Sequence, residues 1–353
     1  AHAAEAVALG LTVTVIDRDS RAVGASVRNF GHCCITAQSG ELLELAQAAR
    51  ERWLHHSAAA GFFSVRSGAL AVARNPEELD VLDELSAGRE TGQVRLIGAD
   101  DVRDRLSSGD PAVVGGAVLR DDLRVDPREA VGSLAAWLAE QGVRFLWRTS
   151  YLGQDGGTAT TSRGSVRTSH TIVCVGHDLD YLYPELAEEH GVERCGLQMV
   201  RVAAPGARSI SPAVLTGTSM LRYPAFTETA AAAALRTRLA AEDPELVRLG
   251  ANVMVTQRPD GTLLVGDSHR YGPTMDPFLD EGTSEALLAR VGEVLGLGSL
   301  RVIERWQGVY ASSPEHPFLV EEVLPGVTAV SVTSGVGMTI SFGLARSVLA
   351  RLG

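Results

Sequence analysis

An acidic residue that directly follows an apolar run is the first candidate for chemistry in this chain. Residues 11–16 are rich in β-forming side chains, and Asp17 comes next. In dinucleotide-binding units a carboxylate at the end of the second strand accepts hydrogen bonds from ribose hydroxyls, although a solvated acid can also end a strand. We therefore expect Asp17 to bind the ribose of a nucleotide. Arg18 beside it either covers the adenine or pyrophosphate or lies at the surface.

The loop after this acid combines small residues with polar donors. Residues 24–26 (Gly-Ala-Ser) start a turn or helix in which backbone N–H groups can approach pyrophosphate oxygens. Arg28, Asn29 and Phe30 follow, and the arginine is either a cofactor contact or an exposed charge. Gly31 has no side chain, which would let the chain pass close to a flat cofactor ring.

Glycines at two further strand ends extend this candidate cofactor site. The apolar run that contains Cys174 and Val175 ends at Gly176, where a glycine either permits close approach of a nucleotide or only makes a turn. Near the C-terminus, a glycine-containing turn separates an apolar strand from a helical stretch. A helix N-terminus presents free N–H groups and a partial positive charge, so this turn is also a candidate for cofactor contact. Its members are Gly335, Val336, Gly337, Met338 and Thr339.

The elements that must position these residues follow from periodicity and capping signals. Apolar residues at helical spacing predict helices at 40–61, 75–88, 126–142 and 284–298, of which the second and third begin with Asn-Pro and Asp-Pro pairs. From about 190 to 300 the pattern favours strands, which we place at 196–205, 219–226 and 252–269. Pro259-Asp260-Gly261 within the last of these indicates a hairpin.

The order of these elements predicts a mixed α/β fold with two interleaved domains. The Rossmann-like nucleotide-binding domain takes residues 1–61, 127–190 and 300–353, and a mostly antiparallel β-sheet domain for the substrate takes 62–126 and 191–299. The active site is expected at the seam between the two, where pockets commonly form. Residues 1–10 look like the end of a crossover helix, so we expect the first strand and its glycine-rich phosphate loop to precede residue 1.

Composition narrows the class of protein. The chain has 353 residues, of which 32 are basic and 43 acidic; its net charge is −11 and it has no basic cluster, so nucleic acid is not an expected partner. No apolar run approaches the roughly 18 residues that span a bilayer. The four cysteines lack the spacing of a disulfide framework or a metal site, which favours a reducing, cytoplasmic location. The sequence leaves oligomer formation open.

Several of these segments, in the same order, carry a family resemblance. They are VTVIDRD with GASVRNFG, Asp-Pro at 126–127, IVCVGHD and TSGVGMTISFGLA. With them the chain resembles the D-amino-acid oxidase and glycine/sarcosine oxidase superfamily of FAD-dependent oxidoreductases. GASVRNFG, LQMVR, LRYPAF and GVYASSPEHPF further resemble a bacterial subgroup associated with phosphonate metabolism, which is linked to the oxidation of small aminophosphonates related to 2-aminoethylphosphonate.

The resemblance implies FAD, bound non-covalently, as the cofactor. It makes Ser26, Arg28 and Asn29 contacts of the cofactor and directs the turn at 335–339 to the N1–C2=O edge of the flavin. A covalent flavin link through either cysteine of the pair at 33–34 is the alternative. The remaining implied contacts are a backbone contact to adenine at Tyr151, where a strand is expected to end, and Gly308 of a later Trp-x-Gly strand.

The substrate side departs from the family pattern. Amino-acid oxidases of this superfamily place an arginine just after the Trp-x-Gly motif to pair with a substrate carboxylate, and this sequence has Tyr310 there. A phosphonate carries up to two charges and three oxygens, so it suits several donors. Arg222, Tyr223 and His269 join Tyr310 as candidate substrate contacts, although a sheet tyrosine or a lone histidine is commonly a core residue.

The reaction implied by the resemblance is oxidation of a small amine. A hydride moves from the α-carbon to the flavin, the imine hydrolyses and oxygen reoxidises the cofactor, so the partners are the amine and oxygen. No side chain is required as an acid or base in that scheme. Alternatives are a glycine, sarcosine or D-amino-acid oxidase, a flavin dehydrogenase with another acceptor, a flavin-dependent hydroxylase, and a chain that does not hold FAD and is not an enzyme.

Overall fold

A computed structural model of the chain describes residues 1–107, 110–206 and 208–352. Within these ranges the helices are α1 (His2–Ala8), α2 (Gly40–Ala60), α3 (Pro76–Ala87), α4 (Ala99–Leu106), α5 (Pro127–Glu140), α6 (Leu179–Leu182), α7 (Pro184–Glu189), α8 (Gly217–Met220), α9 (Pro224–Thr227), α10 (Ala232–Glu242), α11 (Pro244–Arg248), α12 (Glu281–Val294) and α13 (Gly337–Leu352). Two 3₁₀ helices span Ala25–Val27 and Gly176–Asp178. No helix in these ranges has the length and apolar character needed to cross a membrane.

The strands of the described ranges are mostly short. They are β1 (Thr14–Ile16), β2 (His32–Cys33), β3 (Ser64–Val65), β4 (Ala69–Ala73), β5 (Val94–Gly98), β6 (Gly115–Leu119), β7 (Leu123–Val125), β8 (Arg144–Leu146), β9 (Tyr151–Asp155), β10 (Thr158–Thr161), β11 (Gly164–Arg167), β12 (Thr171–Val173), β13 (Glu193–Val202), β14 (Ala213–Leu215), β15 (Met254–Gln257), β16 (Leu263–Gly266), β17 (Arg270–Gly272), β18 (Val302–Ser312), β19 (Phe318–Leu324) and β20 (Val327–Val332). Together with the helices they form the mixed α/β fold that the sequence predicts.

Capping residues explain where two of the predicted helices begin. The Asn75 side chain accepts a hydrogen bond from the Glu78 N–H at 2.9 Å, and the Asp126 side chain accepts one from the Arg128 N–H at 3.0 Å. Both helices start with a proline, which needs no acceptor at that position. Because these caps satisfy N–H groups that have no partner inside the helix, α3 and α5 begin where the sequence predicts.

Parallel strand pairs carry the Rossmann-like part of the fold. β1 pairs in parallel with β8, and β12 pairs in parallel with β20, which is antiparallel to β19. The carboxyl ends of parallel strands lie at one edge of a sheet, and ligands bind at that edge in α/β folds. The strand ends at Ile16 and Val173 therefore lead directly into the candidate cofactor segments.

A nine-stranded, mostly antiparallel sheet forms the second part. Its order is β17-β13-β16-β15-β14-β4-β6-β5, with β18 paired along β13. Among the described strands of this sheet, β14 and β4 form the parallel pair. The predicted hairpin is confirmed between β15 and β16, where the Arg258 N–H donates to the Thr262 carbonyl at 2.8 Å. Gly261 adopts φ +83° in this turn, a conformation that favours glycine.

The prediction of a strand at 219–226 is wrong, because this segment is helical. Thr216 takes part in a capping box that starts α8. Pro224 opens α9 and has no N–H to donate to a sheet. Arg222 and Tyr223 therefore lie between two short helices and not on a strand.

Two strands connect the predicted domains. β18 belongs to the range 300–353 that the sequence assigns to the nucleotide-binding domain, yet it pairs along its whole length with β13 of the large sheet. In the other direction, β7 lies in the predicted substrate domain and pairs with β2, beside the candidate cofactor loop. The division into two domains stays a proposal, and these strands join its parts.

Close packing of α13 against α2 fixes the turn that precedes α13. A Cβ atom on Gly343 would lie 2.1 Å from the Leu45 carbonyl oxygen, so the two helices approach as only a glycine allows. Trp53 packs edge-on to Phe342 with 4.8 Å between ring centroids, and its indole N–H donates to the Met338 carbonyl at 2.8 Å. The N-terminus of α13 is thereby held in one place.

Candidate active site

Asp17 lies at the carboxyl edge of the β1–β8 pair. Its N–H donates to the Leu146 carbonyl at 3.1 Å, and its carbonyl accepts the Thr149 N–H at 2.9 Å. The carboxylate is half-buried, accepts the Asp19 N–H at 2.8 Å through Oδ1, and has a pKa raised by burial. A carboxylate held in this position is suited to accept hydrogen bonds from ribose hydroxyls.

Arg18 joins this edge to the turn after β12. Its guanidinium pairs with the Asp178 carboxylate in the second 3₁₀ helix. Gly176 begins that helix with φ +59° and open space where a side chain would be, which suits the close approach of a nucleotide. Val175 packs in a small apolar cluster, and Cys174 is exposed. The two predicted strand-end segments thus lie side by side.

The strand that was expected to end near Tyr151 ends earlier. β8 stops at Leu146, and Tyr151 is the first residue of β9, with its hydroxyl 3.4 Å from that of Tyr183. Thr149 is the residue of this segment that contacts the Asp17 backbone. Thr149, and not Tyr151, is therefore the residue of this segment that is hydrogen-bonded to Asp17.

Arg28 connects the candidate cofactor loop to β18. Its Nε donates to the Val23 carbonyl at 2.7 Å and its Nη1 donates to the Gln307 carbonyl at 3.1 Å. The Trp306 indole donates to the Arg28 carbonyl at 3.2 Å, and a Cβ on Gly308 would lie 3.5 Å from that same oxygen. Arg28 and Gly308 are therefore brought together, and the arginine holds the loop in position.

Asn29 folds the same loop onto itself. Its Nδ2 donates to the carbonyls of Ala25 and Ser26 at 3.0 Å, and its Oδ1 accepts the Gly31 N–H at 2.8 Å. The Ser26 side chain is exposed, as a cofactor contact requires, whereas Phe30 is buried in the core. The asparagine thus shapes the loop that presents the serine.

Gly31 is needed for packing against the start of α5. It has φ +69°, and a Cβ there would lie 2.0 Å from the Val125 carbonyl oxygen and 2.7 Å from the Pro127 ring. The sequence suggests a flat cofactor ring as the reason for this glycine. The structure supplies a different one, because the close neighbours are β7 and α5.

The turn before α13 meets the cysteine pair. The Thr339 hydroxyl oxygen accepts the Cys34 N–H at 3.0 Å, and the Cys33 thiol donates to the Met338 carbonyl at 3.6 Å. Burial raises the pKa of Cys34 well above its ordinary value. A protonated thiol is a poor nucleophile, which favours a non-covalent flavin.

The glycine at 335 lets the turn before α13 lie close to the large sheet. Gly335 has φ +75°, and a Cβ there would lie 3.1 Å from the Tyr310 ring. A Cβ on Gly337 would meet open space, and the Val336 carbonyl accepts the Thr339 N–H at 2.9 Å. The first N–H groups of an α-helix have no acceptor within the helix, so this N-terminus offers donors next to Tyr310.

Arg222, Tyr271 and Tyr310 converge on one cavity of about 350 Å³. Cys195 of β13 lies opposite Tyr310 of β18 on one side and Tyr271 of β17 on the other. Arg222 Nη2 is 3.4 Å from the Tyr271 hydroxyl. The other lining residues are Glu193, Ser312, Ser313, Pro314, Thr333 and Ser334.

The cavity combines the guanidinium of Arg222 with several hydroxyl groups and the carboxylate of Glu193. Burial lowers the pKa of Arg222, but Tyr310, Tyr271 and Asp267 more than compensate, so its net pKa is raised. Burial raises the pKa of Tyr310 well above its ordinary value. At neutral pH the guanidinium is charged and the phenol is protonated, which suits an anionic ligand group.

His269 and Tyr223 lie next to this cavity. The ring centroids of His269 and Tyr310 are 6.4 Å apart, and His269 Nδ1 donates to the Gly250 carbonyl at 2.8 Å. The Tyr223 hydroxyl is 3.4 Å from Asn252 Nδ2. All four predicted substrate residues therefore belong to one cluster.

A buried histidine–aspartate pair lies beneath the cofactor loop. His32 Nε2 is 2.8 Å from Asp122 Oδ2, and Asp122 Oδ1 accepts the Thr36 N–H at 2.7 Å. With Cys34 these residues offer three ligand atoms within 4.8 Å of one another. The raised pKa of Cys34 keeps its thiol protonated, and both Asp122 oxygens have hydrogen-bond partners, whereas His32 Nδ1 is buried without one among the described residues. We therefore describe this group as a hydrogen-bonded support of the loop.

Sequence reasoning did not name Glu193, Asp267 or Tyr271 as site residues. Asp267 and Tyr271 flank the predicted His269 at two-residue spacing, and that alternation is a signal that they share a face with it. Glu193 carries no comparable signal, because it reaches the cavity through the pairing of β13 with β18.

Residues 1–352 match the family described as FAD dependent oxidoreductase (DAO). The chain belongs to this family. FAD is accordingly the cofactor of this oxidoreductase. No curated protein sequence matches it significantly.

Solved structures share the fold of this FAD-dependent oxidoreductase over nearly its whole length. Glycine oxidase from Bacillus cereus ATCC 14579 has a TM-score of 0.79 at 16% identity, covering 99% of this chain and 91% of its own. L-proline dehydrogenase from P. horikoshii has a TM-score of 0.79 at 17% identity, covering 99% and 89%. Iminodiacetate oxidase from Chelativorans sp. BNC1 has a TM-score of 0.77 at 20% identity, covering 99% and 91%.

The described residues fit an FAD molecule at several points. Asp17 provides a half-buried acceptor for ribose hydroxyls, and Gly176 leaves open space beside the nucleotide edge. The N-terminus of α13 has open space at Gly337 and partial positive charge for an electron-rich ring edge. These features lie on the segments that the sequence assigns to the cofactor, and the individual contacts remain proposals.

Proposed function

We propose that this FAD-dependent oxidoreductase oxidises a small amine that carries a phosphonate group. The observation that carries the proposal is the convergence of Arg222, Tyr271 and Tyr310 on one cavity beside the turn at Gly335. That turn is our candidate contact for the reacting end of the cofactor. A substrate held by Arg222 would then lie next to it.

The donor set favours a phosphonate over a carboxylate. A carboxylate is planar and pairs bidentately with one arginine, whereas a phosphonate presents three oxygens in different directions. Arg222 and the two tyrosine hydroxyls approach the cavity from three separate elements. A volume of about 350 Å³ suits a small molecule. Tyr310 also stands where the related amino-acid oxidases have their carboxylate-binding arginine.

The chain positions the substrate while the cofactor provides the redox chemistry. FAD, when bound, would supply the acceptor for a hydride from the α-carbon and the route of the electrons to oxygen. Arg222 and the tyrosines bind the anion, His269 and Tyr223 close the inner side of the cluster, and Asp17, Ser26 and the turn at 335–339 hold the cofactor. We propose that the flavin is non-covalent and that oxygen is the acceptor.

A small amino acid is the second candidate substrate. The structurally similar glycine oxidase and iminodiacetate oxidase are named for amines that carry carboxylates, and a carboxylate could also pair with Arg222. L-proline dehydrogenase, another structural neighbour, is named as a dehydrogenase, so an acceptor other than oxygen is the corresponding alternative for the second half of the reaction.

A matched substrate panel tests the proposal. Peroxide release by the FAD-loaded full-length protein is measured with 2-aminoethylphosphonate and its N-methyl and 1-hydroxy derivatives, and with β-alanine, glycine, sarcosine and D-alanine. We expect kcat/KM to be highest for a phosphonate. Equal or faster turnover of the carboxylates would refute the phosphonate preference. Flavin reduction without peroxide release would instead indicate another electron acceptor.

A further inference from the structure

We propose that Asp267 and Asn252 bind the ammonium group of the substrate, and that the Asp267 carboxylate takes the proton that this group must lose before oxidation. The inference rests on the proposed function, because it concerns the amine end of the same substrate. The scheme implied by the family resemblance requires no acid or base, so this adds a catalytic residue.

Two buried acceptor oxygens without donors carry the proposal. Asp267 and Asn252 are 5% and 4% exposed, and neither Asp267 Oδ1 nor Asn252 Oδ1 has a hydrogen-bond partner among the described residues. The backbones of the two residues are paired, with N···O distances of 2.7 and 2.8 Å, so the side chains belong to one local unit. Buried acceptors are costly without a donor, and an alkylammonium group brings up to three N–H donors.

The surrounding charges fit a molecule with an anion at one end and an ammonium at the other. Arg222 lines the cavity and lies close enough to Asp267 for their charges to interact. Asp267 is buried and is not one of the cavity-lining residues, and it lies next to Tyr223 and Asn252. A small aminophosphonate entering with its phosphonate on Arg222 would direct its amine inward, toward the two acceptor oxygens.

Asp267 is the side chain of this cluster best able to accept a proton near neutral pH. Burial raises its pKa to about 7. Tyr223 and Cys195 are protonated because burial raises their pKa values, and they are donors rather than acceptors. His269 is neutral because burial and Arg222 lower its pKa, and its Nε2 is 4.0 Å from Asp267 Oδ2.

The proposed step is a single proton transfer. The N–H bond of the substrate ammonium breaks, an O–H bond forms on the Asp267 carboxylate, and the nitrogen keeps its electron pair. The neutral amine is then ready to lose a hydride from the neighbouring carbon. The positive charge of Arg222 favours loss of the ammonium proton, and the acid returns the proton to solvent after the product leaves.

The pH dependence of flavin reduction tests the catalytic role. Anaerobic reduction by 2-aminoethylphosphonate is followed by loss of flavin absorbance in the wild type and in Asp267→Asn. In the wild type the rate should level off above about pH 7. In Asp267→Asn it should fall by about 100-fold at pH 7.5 and keep rising toward the pKa of the free amine. Parallel profiles in the two proteins would overturn the proton-transfer role.

Two further variants locate the effect. Glu193→Gln removes the carboxylate that lines the cavity itself, and Asp80→Asn removes an exposed carboxylate on α3. We expect the pH profile to be unchanged in Asp80→Asn. If Glu193→Gln, and not Asp267→Asn, loses the plateau, the amine is bound by Glu193 and our assignment is wrong. If no amine of the panel reduces the flavin of the wild type, the proposed function itself is refuted, and not only the role of Asp267.

A binding measurement gives a readout independent of turnover. The affinities of 2-aminoethylphosphonate and ethylphosphonate, which lacks the amine, are compared by calorimetry on the anaerobically reduced, FAD-loaded protein. Asp267→Asn should weaken binding of the aminophosphonate by about tenfold or more and leave ethylphosphonate affinity unchanged. Equal losses for both ligands would show a general disturbance of the pocket and refute a specific contact with the amine.

Discussion

At the scale of single residues, the site depends on where one positive charge lies. Arg222 is half-buried between two short helices and is surrounded by tyrosine hydroxyls and by Asp267. An anion bound there replaces water around a guanidinium that is already held in place. Tyr310 on β18 stands where the family resemblance leads us to expect an arginine, so we propose that the anion-binding charge enters from a different element.

Arg222→Gln should therefore impair substrate binding while sparing the cofactor. We expect kcat/KM for the best aminophosphonate to fall by about 30- to 150-fold, equivalent to about 2–3 kcal/mol, mainly through a higher KM. Steady-state peroxide assays measure this, and the flavin spectrum reports the FAD content. Arg236→Gln, on an exposed position of α10, is the matched control. A loss of the same size in the control would contradict the assignment.

Tyr310→Phe should show whether the Tyr310 hydroxyl distinguishes a phosphonate from a carboxylate, because the packing of the ring is unchanged. The variant keeps the ring that packs against Gly335 and removes only the hydroxyl. We expect about a tenfold loss of kcat/KM for a phosphonate, in line with one lost hydrogen bond to a charged group, and a smaller loss for the matching carboxylate. Identical losses for 2-aminoethylphosphonate and β-alanine would show that the hydroxyl does not discriminate between the anions.

At the scale of elements, the contact between α13 and α2 determines where the turn at 335–339 lies. α13 begins directly after the turn, and its glycine at 343 lets the helix approach the backbone of α2. The Trp53 hydrogen bond to the Met338 carbonyl adds a second fixed point at the helix N-terminus. Any change that separates these helices therefore displaces the residues proposed to face the flavin.

A pair of glycine substitutions tests this contact. In Gly343→Ala the new methyl group would lie 2.1 Å from the Leu45 carbonyl oxygen, so we expect a loss of about 1–3 kcal/mol of stability and weaker FAD retention. Gly132→Ala, in the middle of α5, meets open space and should stabilise by about 0.5–1 kcal/mol. Urea unfolding of the two proteins measures both effects. Equal stability of the variants would show that the close helix approach is wrong.

At the scale of the whole molecule, a buried acid makes stability depend on pH. Glu78 is 4% exposed, and burial raises its pKa from 4.5 to about 7. The folded state then holds a proton that the unfolded state has already released. Between pH 4.5 and about 7 the unfolded state binds fewer protons, so the free energy of unfolding falls as pH rises, by up to about 3 kcal/mol.

Glu78→Gln should flatten this dependence. The amide has no proton to lose, so we expect the melting temperature of the variant to change less than that of the wild type between pH 5 and 8. Asp267, whose pKa is also raised, contributes a remaining slope of the same sign in both proteins. Glu285→Gln, at an exposed position of α12, serves as the control and should follow the wild type. A wild-type slope retained in Glu78→Gln would refute the assignment.

Local signals made part of the molecule predictable. The caps at Asn75 and Asp126 and the turn at 259–261 act within a few residues, and the elements they predict are present. The segment at 219–226 has the apolar and aromatic composition of a strand, but Thr216 and Pro224 make it helical. Composition alone could not show that the helix cap and the proline outweigh the strand propensity of this segment.

The site was predictable as a set of strand-end residues but not as an arrangement. Asp17 and the glycine turn at 335–339 carry signals in the sequence itself. The meeting of Tyr271 with Tyr310 requires β13 to pair with both β17 and β18, a long-range arrangement that no local pattern specifies. Arg222 reaches Tyr271 from the segment between two short helices, which is a further long-range contact. The orphaned oxygens of Asp267 and Asn252 likewise become visible only when burial and partners are known.

The pairing of β18 with β13 has a consequence for how this protein can change over evolution. Gly308, beside the cofactor loop, and Tyr310, at the cavity, are two residues apart, about 7 Å along an extended strand. A substitution at 310 alters the cavity and leaves the spacing intact. Inserting or deleting one residue between them would turn one of the two to the opposite face of the sheet. New substrate preferences can therefore arise through point substitution at 310. An insertion or deletion between 308 and 310 would disrupt either the loop contact or the cavity, so we expect selection to remove it.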